Sequence, residues 1–305
     1  MIKTPNITIL TTTYNRANEI NQLYKSLLNQ TNKSFKWLII DDGSQDNTLN
    51  VIQNFSTEYL PITYLHKKNG GKHTAINFGL KFVDTELVMI VDSDDTLTND
   101  AIESIIQEWG NLSNRKKNNV AGMIFLKQDT KGKISGIEFP RYRFIENYNS
   151  FILNNNKYGE SADVWVTEIL KKYPYPVYSG EKYVPETTVW ALIAREYDML
   201  FVNKVIYIYE YLDGGLTDSG RKLRIDNPKG SMENARVWLN SKFSIRISVK
   251  KMILYICYGF FAEYTVYEMY KNAPLKFLFI ILLPLGYFLK RYWSKKFKMR
   301  SSLQR

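Results

Sequence analysis

The amino-acid sequence predicts an α/β fold with a mainly parallel sheet. A chain of 305 residues is long enough for one large α/β domain with an appendage. Between residues 7 and 91, short apolar runs alternate with segments of helical spacing. Two of the apolar runs end in aspartates, at the end of a strand where open α/β sheets bind ligands. Strands that alternate with helices are typical of parallel sheets with right-handed crossovers.

The period of the apolar residues predicts the elements in chain order. In the first part we expect strands at 7–10, 35–40, 62–65 and 87–91, and helices at 17–29, 46–55, 71–82 and 103–109. Ser44 or Asp46 is the expected N-cap of the second helix. Later we expect strands at 120–127 and 200–209, a polar loop or hairpin at 129–139 and a helix at 188–195. Residues 213–227 are rich in glycine and charge, which predicts a loop that moves as a lid.

The C-terminal third is apolar and aromatic at 252–262 and 275–289, and Pro284 and Gly286 interrupt the second stretch. A membrane-spanning helix needs about 20 apolar residues, so this stretch is short. We therefore expect a half-buried segment that lies in the plane of a membrane, with the basic tail on the lipid headgroups. The alternative is a core helix of a small C-terminal bundle.

The formal net charge of +11 is concentrated at the C-terminus. Residues 290–305 contain seven basic and no acidic residues, which leaves +4 (11 − 7) for the rest of the chain. These residues are Lys290, Arg291, Lys295, Lys296, Lys298, Arg300 and Arg305. Such an arm typically binds an anionic membrane or nucleic acid. We expect no nucleic-acid partner, because aromatic and basic residues do not interleave as on a nucleic-acid-binding fold.

The strand at 87–91 is followed by three carboxylates within four residues, Asp92, Asp94 and Asp95. They would repel each other unless a cation shares them, and oxygen-rich sites suit Mg²⁺ or Mn²⁺ bridging to phosphate. This predicts a metal–diphosphate site. One alternative is a helix N-terminus that acidic side chains stabilise. Another is a haloacid-dehalogenase-like phosphatase, whose signature would make Asp92 the nucleophile and Asp94 the acid/base.

A second acidic pair, Asp41 and Asp42, ends the strand at 35–40. If the strands are parallel and close, both acidic groups face one crevice, where a nucleotide diphosphate could use both. The alternative is an ordinary turn and helix cap. The sequence matches neither the phosphate-loop pattern nor the dinucleotide-binding pattern. The two histidines, His66 and His73, are expected to be structural or at the surface rather than zinc ligands.

Four collinear motifs resemble those of family 2 glycosyltransferases of the bacterial capsular or exopolysaccharide type. They are Thr11-Thr-Thr-Tyr14-Asn15-Arg16, Asp41-Asp42-Gly43-Ser44-x-Asp46, Asn69-Gly70-Gly71-x-x-x-Ala75-x-Asn77-x-Gly79 and Asp92-x-Asp94. The resemblance implies an α/β GT-A fold, a Rossmann-like mixed sheet flanked by helices. It implies a catalytic domain at 1–230, with a nucleotide-binding half at 1–110 and an acceptor-binding half at 111–230. Residues 231–305 would form a helical, membrane-associating region.

The resemblance also implies roles for individual residues. The expected nucleotide-sugar-binding residues are Thr12, Tyr14, Asp41, Asp42, Lys72, Asn77, Asp92 and Ser93. Of these, Asp41 or Asp42 would bind the base, and Lys72 and Asn77 would contact ribose or phosphate. Asp92 and Asp94 would bind Mn²⁺ or Mg²⁺, which stabilises the leaving group.

An inverting transferase needs a base to deprotonate the acceptor hydroxyl. Members of the family often place an acidic pair here and use its second residue. This chain has Glu186 followed by Thr187, so Glu186 is the candidate base and Glu181 the alternative. Glu186 could instead be an ordinary residue of a helix N-terminus after Pro185. Arg221, Lys222 and Arg224 could neutralise donor phosphates or be solvated loop charges.

The expected function is inverting hexosyl transfer from a UDP-sugar to a saccharide acceptor. By analogy with the family, we expect this acceptor to be a lipid-linked intermediate of cell-surface polysaccharide synthesis. The apolar, basic C-terminus predicts a cytoplasmic protein, peripheral on the inner face of the cell membrane. Two alternatives remain open: the phosphatase, and a non-catalytic basic binding protein.

Overall fold

The computed structural model describes residues 6–154, 159–210, 216–239 and 245–297. The chain forms two compact units. The first comprises Met1–Pro174 and Leu192–Tyr211, and the second Tyr175–Ala191 and Leu212–Arg305. This division differs from the predicted one at residue 230, because everything from Leu212 onward groups with the C-terminal helices. The assignment of residues 1–230 as the catalytic domain stays a prediction.

The first unit contains a mixed sheet of nine strands among the described residues. These are β1 Ile7–Thr13, β2 Phe35–Asp41, β3 Ile62–His66, β4 Leu87–Ile90, β5 Thr96–Leu97, β6 Val120–Asp129, β7 Arg143–Glu146, β8 Ser161–Val166 and β9 Asp198–Tyr209. The order is β3-β2-β1-β4-β8-β6-β9-β5, and β7 also pairs with β9. The first four strands are parallel, and β8 is antiparallel to both β4 and β6. The predicted α/β architecture with a mixed sheet is confirmed.

Helices follow or connect the strands. The first unit contains α1 Ile20–Leu28, α2 Thr48–Gln53, α3 Lys72–Leu80, α4 Ala101–Gly110, α5 Asn114–Lys117, α6 Tyr148–Asn154 and α7 Thr167–Lys171. Helix α8, Thr187–Ile193, crosses the division between the units. The second unit continues with α9 Leu216–Asp226, α10 Pro228–Val237, α11 Ile245–Phe261, α12 Val266–Asn272 and α13 Lys276–Lys296.

The parallel strands β1, β2 and β4 are almost entirely buried on both faces, which explains their continuous apolar runs, whereas the edge strand β3 is partly exposed. All seven residues of β1 are buried, and the Trp37 indole of β2 donates a hydrogen bond to Thr11 Oγ1 at 3.0 Å. Helix α3 packs close to this sheet because Gly79 has no side chain. A Cβ atom there would lie 2.6 Å from Leu10 Cδ1 and 2.9 Å from Ile40 Cγ1. The motif glycine at 79 therefore sets the spacing between helix and sheet.

The predicted elements between residues 7 and 110 are confirmed, with end shifts of up to three residues. The predicted N-cap of α2 at Ser44 or Asp46 is wrong, because the N-cap is Asn47. Asp46 directly precedes it, and its Oδ1 accepts the Thr48 N–H at 3.0 Å. Its Oδ2 accepts the Ala17 N–H at 3.2 Å, which joins the loops that follow β1 and β2.

The predicted lid loop at 213–227 is wrong over Leu216–Asp226, which forms α9. Residues 213–215 lie outside the described part of the chain. The helix is kinked at Gly220, whose φ of 42° and ψ of −116° are not helical. This segment is rich in charged residues, so its apolar pattern does not predict a helix. Ile225, in the last turn of the helix, is buried.

The predicted interruption at Pro284 and Gly286 is also wrong, because α13 continues through both for 21 residues. Pro284 lies on the exposed side of the helix. It has no N–H to donate to the carbonyl one turn earlier, but on this side water can donate to that carbonyl instead. Gly286 lies on the buried side, where a Cβ would meet Ile256 Cγ2 at 2.5 Å. By length and composition alone, α13 could cross a membrane, and no other described helix could. Lys290, Arg291, Lys295 and Lys296 belong to this helix rather than to a separate tail.

Candidate functional site

Three adjacent parallel strands end at one edge of the sheet. Thr13 at the end of β1 is in register with Asp41 at the end of β2, and Leu10 with Ile90 at the end of β4. Because parallel strands point the same way, the residues that follow them share this edge. The loops containing Tyr14, Asp42 and Asp92 therefore start from neighbouring strands, as the sequence predicted.

Cationic side chains contact two of the three carboxylates that follow β4. Lys72 Nζ at the start of α3 lies 2.5 Å from Asp92 Oδ1. Arg16 Nη2 after β1 lies 3.5 Å from Asp94 Oδ2. The sequence motifs contained both cations, but they gave Arg16 no role. Ser93, a predicted nucleotide-sugar-binding residue, lies between Asp92 and Asp94 in sequence, and its side chain is buried.

The third carboxylate, Asp95, points toward β9. Its Oδ2 accepts a hydrogen bond from the Tyr207 hydroxyl at 2.7 Å, and its Oδ1 accepts the Glu210 N–H at 3.2 Å. The Tyr207 oxygen in turn accepts the Asp92 N–H at 3.1 Å. Asp95 and Tyr207 thus fix the acidic loop and leave Asp92 and Asp94 as the candidate metal ligands.

The charges of these groups are strongly coupled. Burial opposes ionisation of Asp92, but Lys72, Lys127 and Arg16 together hold its pKa below the ordinary value. Burial and then repulsion by Asp92 raise the pKa of Asp94. The same two causes raise the pKa of Asp95 to about 7, despite the Tyr207 hydrogen bond. An added cation would stabilise the ionised forms of these carboxylates, so the loop favours cation binding.

Lys127 of β6 is a third cation beside the acidic loop, and the sequence gave no signal for it. Its Nζ lies 4.0 Å from the centre of the Tyr207 ring. Its charge lowers the pKa of both Asp92 and Asp95. Arg16, Lys72 and Lys127 therefore surround the loop, and such a group of cations suits the oxygens of a diphosphate.

The oxygen donors of the acidic loop fit Mg²⁺ or Mn²⁺, which prefer carboxylate and phosphate ligands. The described residues offer no group of three or more His, Cys, Asp or Glu side chains arranged around a metal position. A metal held by Asp92 and Asp94 would therefore need further ligands from a bound phosphate or water.

The Asp42 carboxylate organises the loop between β3 and α3. Lys67 Nζ lies 2.5 Å from its Oδ1, and the Gly70 and Gly71 N–H groups donate to it at 3.0 and 2.7 Å. The side chain is almost fully buried. These contacts fix the residues that immediately precede Lys72. The predicted binding of a base by Asp42 stays a prediction.

The other predicted residues in the first unit differ in accessibility. Asp41 is buried, and its carboxylate accepts from the Ser44 N–H at 2.7 Å and the Tyr64 hydroxyl at 2.8 Å. Thr12 is buried in β1, and Asn77 is half-buried on α3. Tyr14 is 46% exposed, so its ring is available to a flat ligand. His73 is buried, which lowers its pKa, and neither ring nitrogen has a hydrogen-bond partner among the described residues.

In the second unit, the alternative base Glu181 serves as a helix cap. Its two carboxylate oxygens accept the N–H groups of Lys229 and Gly230, at 2.7 and 2.8 Å, in the first turn of α10. Glu186 is half-buried and directly precedes α8. Thr187, which replaces the second acid of the family motif, accepts a hydrogen bond from Asn234 Nδ2 at 3.0 Å. Glu186 remains the candidate base.

We expect Asp42→Asn to destabilise the first unit by about 2–4 kcal/mol, because it leaves the largely buried Lys67 ammonium without its counter-charge. Chemical denaturation measures this change. The matched control is Asp84→Asn, which removes an exposed aspartate paired with Lys36. The control should cost at most about 1 kcal/mol. Equal losses in the two variants would contradict a structural role for Asp42.

Comparison with known proteins identifies the family. The family model described as "Glycosyl transferase family 2" matches residues 8–170, more than half of the chain. The glycosyltransferase GlyG of Streptococcus pneumoniae is 23% identical over 220 residues, which cover 69% of this chain and 72% of GlyG. Matches to several other curated glycosyltransferases cover only 11–38% of their length.

Solved structures of the same fold cover nearly the whole chain. The Staphylococcus aureus protein TarS in complex with UDP-GlcNAc has a TM-score of 0.60 and 18% identity, covering 92% of this chain and 80% of that one. The mannosyltransferase PcManGT of Pyrobaculum calidifontis, in complex with GDP-Man and Mn²⁺, has a TM-score of 0.56 and 17% identity, covering 96% and 84%. This likeness confirms the predicted GT-A fold. Together with the family match, it establishes that the chain belongs to glycosyl transferase family 2.

Proposed function

We propose that this glycosyltransferase transfers a sugar, with inversion, from a UDP-linked donor to a saccharide hydroxyl. The observation that supports this is the acidic loop after β4 with its three surrounding cations, Arg16, Lys72 and Lys127. TarS was solved with UDP-GlcNAc, a uridine diphosphate sugar, which favours the same donor class here. Family membership favours this function over the phosphatase alternative.

Asp92 and Asp94 would hold Mn²⁺ or Mg²⁺, in line with the Mn²⁺ bound by PcManGT. When bound, the metal supplies positive charge that stabilises the departing diphosphate. Arg16, Lys72 and Lys127 add fixed positive charge beside the same loop. Asp95 and Tyr207 keep the loop in place, so that little reorganisation is needed when the charge develops.

The proposed chemistry is a single displacement. The acceptor hydroxyl oxygen attacks the anomeric carbon while the bond from that carbon to the diphosphate oxygen breaks. Glu186 accepts the hydroxyl proton, and UDP leaves with the bonding electron pair. Asn234 holds the side chains of Thr187 and Thr188 directly after Glu186, at 3.0 and 3.1 Å, which restricts the start of α8.

We further propose that the acceptor is lipid-linked and that the enzyme binds the inner face of the cytoplasmic membrane. One side of α13 packs against α11 within the second unit, and the other exposes a regular apolar stripe. The α13 stripe consists of Phe277, Ile281, Leu285, Phe288 and Tyr292, each 52–79% exposed. Because its opposite side is already covered, α13 is suited to lie in the membrane surface rather than to span it.

Calorimetric titration of UDP, with and without Mn²⁺, tests the donor site. We expect metal-dependent binding that Asp94→Asn weakens at least about tenfold, because it removes one ionic metal ligand. Asp84→Asn, at an exposed site away from the acidic loop, should bind like the wild type. If UDP does not bind under either condition, the UDP-specific proposal fails, and other nucleotides, followed by phosphatase assays with Asp92→Asn, become the next tests.

Glu186→Gln should lower kcat by about 10²–10⁴-fold while UDP affinity stays unchanged, because the variant loses a base and no donor contact. Glu181→Gln is the matched control. It should lower the melting temperature, because the carboxylate caps α10. Steady-state kinetics and thermal unfolding of both variants separate the two roles. A Glu186→Gln enzyme with wild-type kcat would exclude Glu186 as the base.

Flotation with phosphatidylcholine vesicles tests membrane attachment. Replacing Phe277 and Phe288 by Gln should lower the vesicle partition coefficient at least about tenfold, because each inserted ring contributes about 1.5–3 kcal/mol at full burial. The control is Tyr267→Gln, at a 73% exposed aromatic residue of α12 outside the stripe. If the double variant and the control float like the wild type, the α13 stripe is not the membrane contact.

A further inference from the structure

A cavity of about 230 Å³ lies in the second unit, where α10, α11 and α12 contribute to its walls. Met232 of α10 and the ring of Tyr255 of α11 line its buried part. The rings of Tyr178 and Tyr264, which are half-buried, line it as well. None of the lining residues has a role in the proposed transfer reaction. The cavity is therefore a feature that the proposed function leaves unexplained.

The polar residues of the cavity carry charges that cancel. They are Lys229, Glu233, Arg236, Glu268 and Asn272. The Arg236 guanidinium donates two hydrogen bonds of 2.7 Å to the two carboxylate oxygens of Glu233. Two cations and two carboxylates give a charged ligand little net attraction. A ligand with several hydroxyl groups, in contrast, can use the donors and the acceptors at the same time.

Hydrogen bonds hold the α12 side of the cavity in place. The Tyr255 hydroxyl donates to the Met269 carbonyl at 2.9 Å, which joins α11 to α12. At the start of α12, Glu268 Oε2 accepts the Thr265 N–H at 2.8 Å and the Thr265 hydroxyl at 2.7 Å. Asn272 Nδ2 donates to the Glu268 carbonyl at 3.0 Å. Within the described part of the chain, nothing donates to Glu268 Oε1 or Asn272 Oδ1, so both can accept from a ligand hydroxyl.

Aromatic rings beside charge-balanced polar groups suit a sugar ring. The carbon-bound hydrogens of a pyranose form apolar faces that pack on aromatic rings, and its hydroxyls need both donors and acceptors. The volume limits the size of the ligand. Cavities for drug-sized ligands measure roughly 300–1,000 Å³, so this smaller one fits a single sugar ring rather than a whole nucleotide sugar.

The cavity shares helix α10 with the segment of the candidate base. Glu233 and Arg236 of α10 line the cavity, and Asn234 of the same helix donates to Thr187, the residue after Glu186. A ligand of the cavity is thus held by the helix that also restrains the start of α8. This arrangement favours the acceptor, rather than the donor, as the source of the sugar ring.

We propose that this cavity binds one uncharged sugar ring of the saccharide acceptor, at a position other than the reacting sugar. Its assignment to the acceptor rests on the proposed transfer to a saccharide, whereas the binding of a sugar ring does not. A titration with sugars needs neither donor nor metal. The failure of this proposal is therefore distinguishable from the failure of UDP binding at the acidic loop.

Methionine-methyl NMR of the full chain is the test, because the Met232 side chain lines the cavity and reports on its occupation. Met232→Leu identifies the signal among those of the 8 methionines. The probes are the methyl β-glycosides of glucose, galactose and N-acetylglucosamine, with methyl β-glucuronide as the charged analogue. We expect at least one uncharged glycoside to shift the Met232 signal saturably, and at lower concentration than the glucuronide. The shift should persist when UDP-GlcNAc and Mn²⁺ are added.

Tyr264→Leu should weaken this binding about fivefold or more, because it removes an aromatic ring from the cavity. The matched control is Tyr267→Leu, at a 73% exposed tyrosine of α12 outside the cavity, and it should stay within about twofold of the wild type. Asn272→Ala is a second variant at an exposed position, where folding does not depend on the side chain. It should weaken binding about threefold or more at an unchanged melting temperature, because it removes a hydrogen-bonding group.

The absence of a Met232 shift with all three uncharged glycosides would overturn the proposal. An equal loss in Tyr264→Leu and Tyr267→Leu would do the same, as would wild-type binding by both Tyr264→Leu and Asn272→Ala. Tighter binding of methyl β-glucuronide would make the ligand anionic and overturn the uncharged assignment. Displacement of the glycoside by UDP-GlcNAc would assign the sugar ring to the donor and overturn the acceptor assignment.

Discussion

Three carboxylates at the end of a buried strand cannot all stay ionised unless cations come close to them, and the first unit is arranged around this constraint. Parallel pairing of β1, β2 and β4 brings Arg16 and the acidic loop to the same edge of the sheet. Helix α3 supplies Lys72, and β6 supplies Lys127. The balance is incomplete, since the pKa values of Asp94 and Asp95 remain raised. A metal ion bound with a diphosphate would relieve the remaining repulsion between these carboxylates.

Local signals made most of the first unit predictable from the sequence. The strands before Asp41 and Asp92 are short apolar runs, and the glycine at 79 allows a close helix–sheet contact. Contacts between distant residues were not predictable. Tyr207 and Asp95 are 112 residues apart, and nothing near either one indicates their hydrogen bond. Nothing in the sequence near Glu181 indicates that its carboxylate caps α10, 48 residues later. Pro284 suggested a break in α13, but only its position on the exposed face shows why the helix continues.

Hydrogen bonds attach the segment before α8 to α10 and so hold the candidate base Glu186 in place. Glu181 and Asn227 bind residues 181–183 to the start of α10, and Asn234 binds the first turn of α8 farther along the same helix. Glu186 lies between these two attachments, so α10 holds the chain on both sides of it. Helix α10 also shares an apolar core with α11 and α13. If Glu186 is the base and α13 the membrane contact, as proposed, the position of the base depends on the same helices that dock the enzyme.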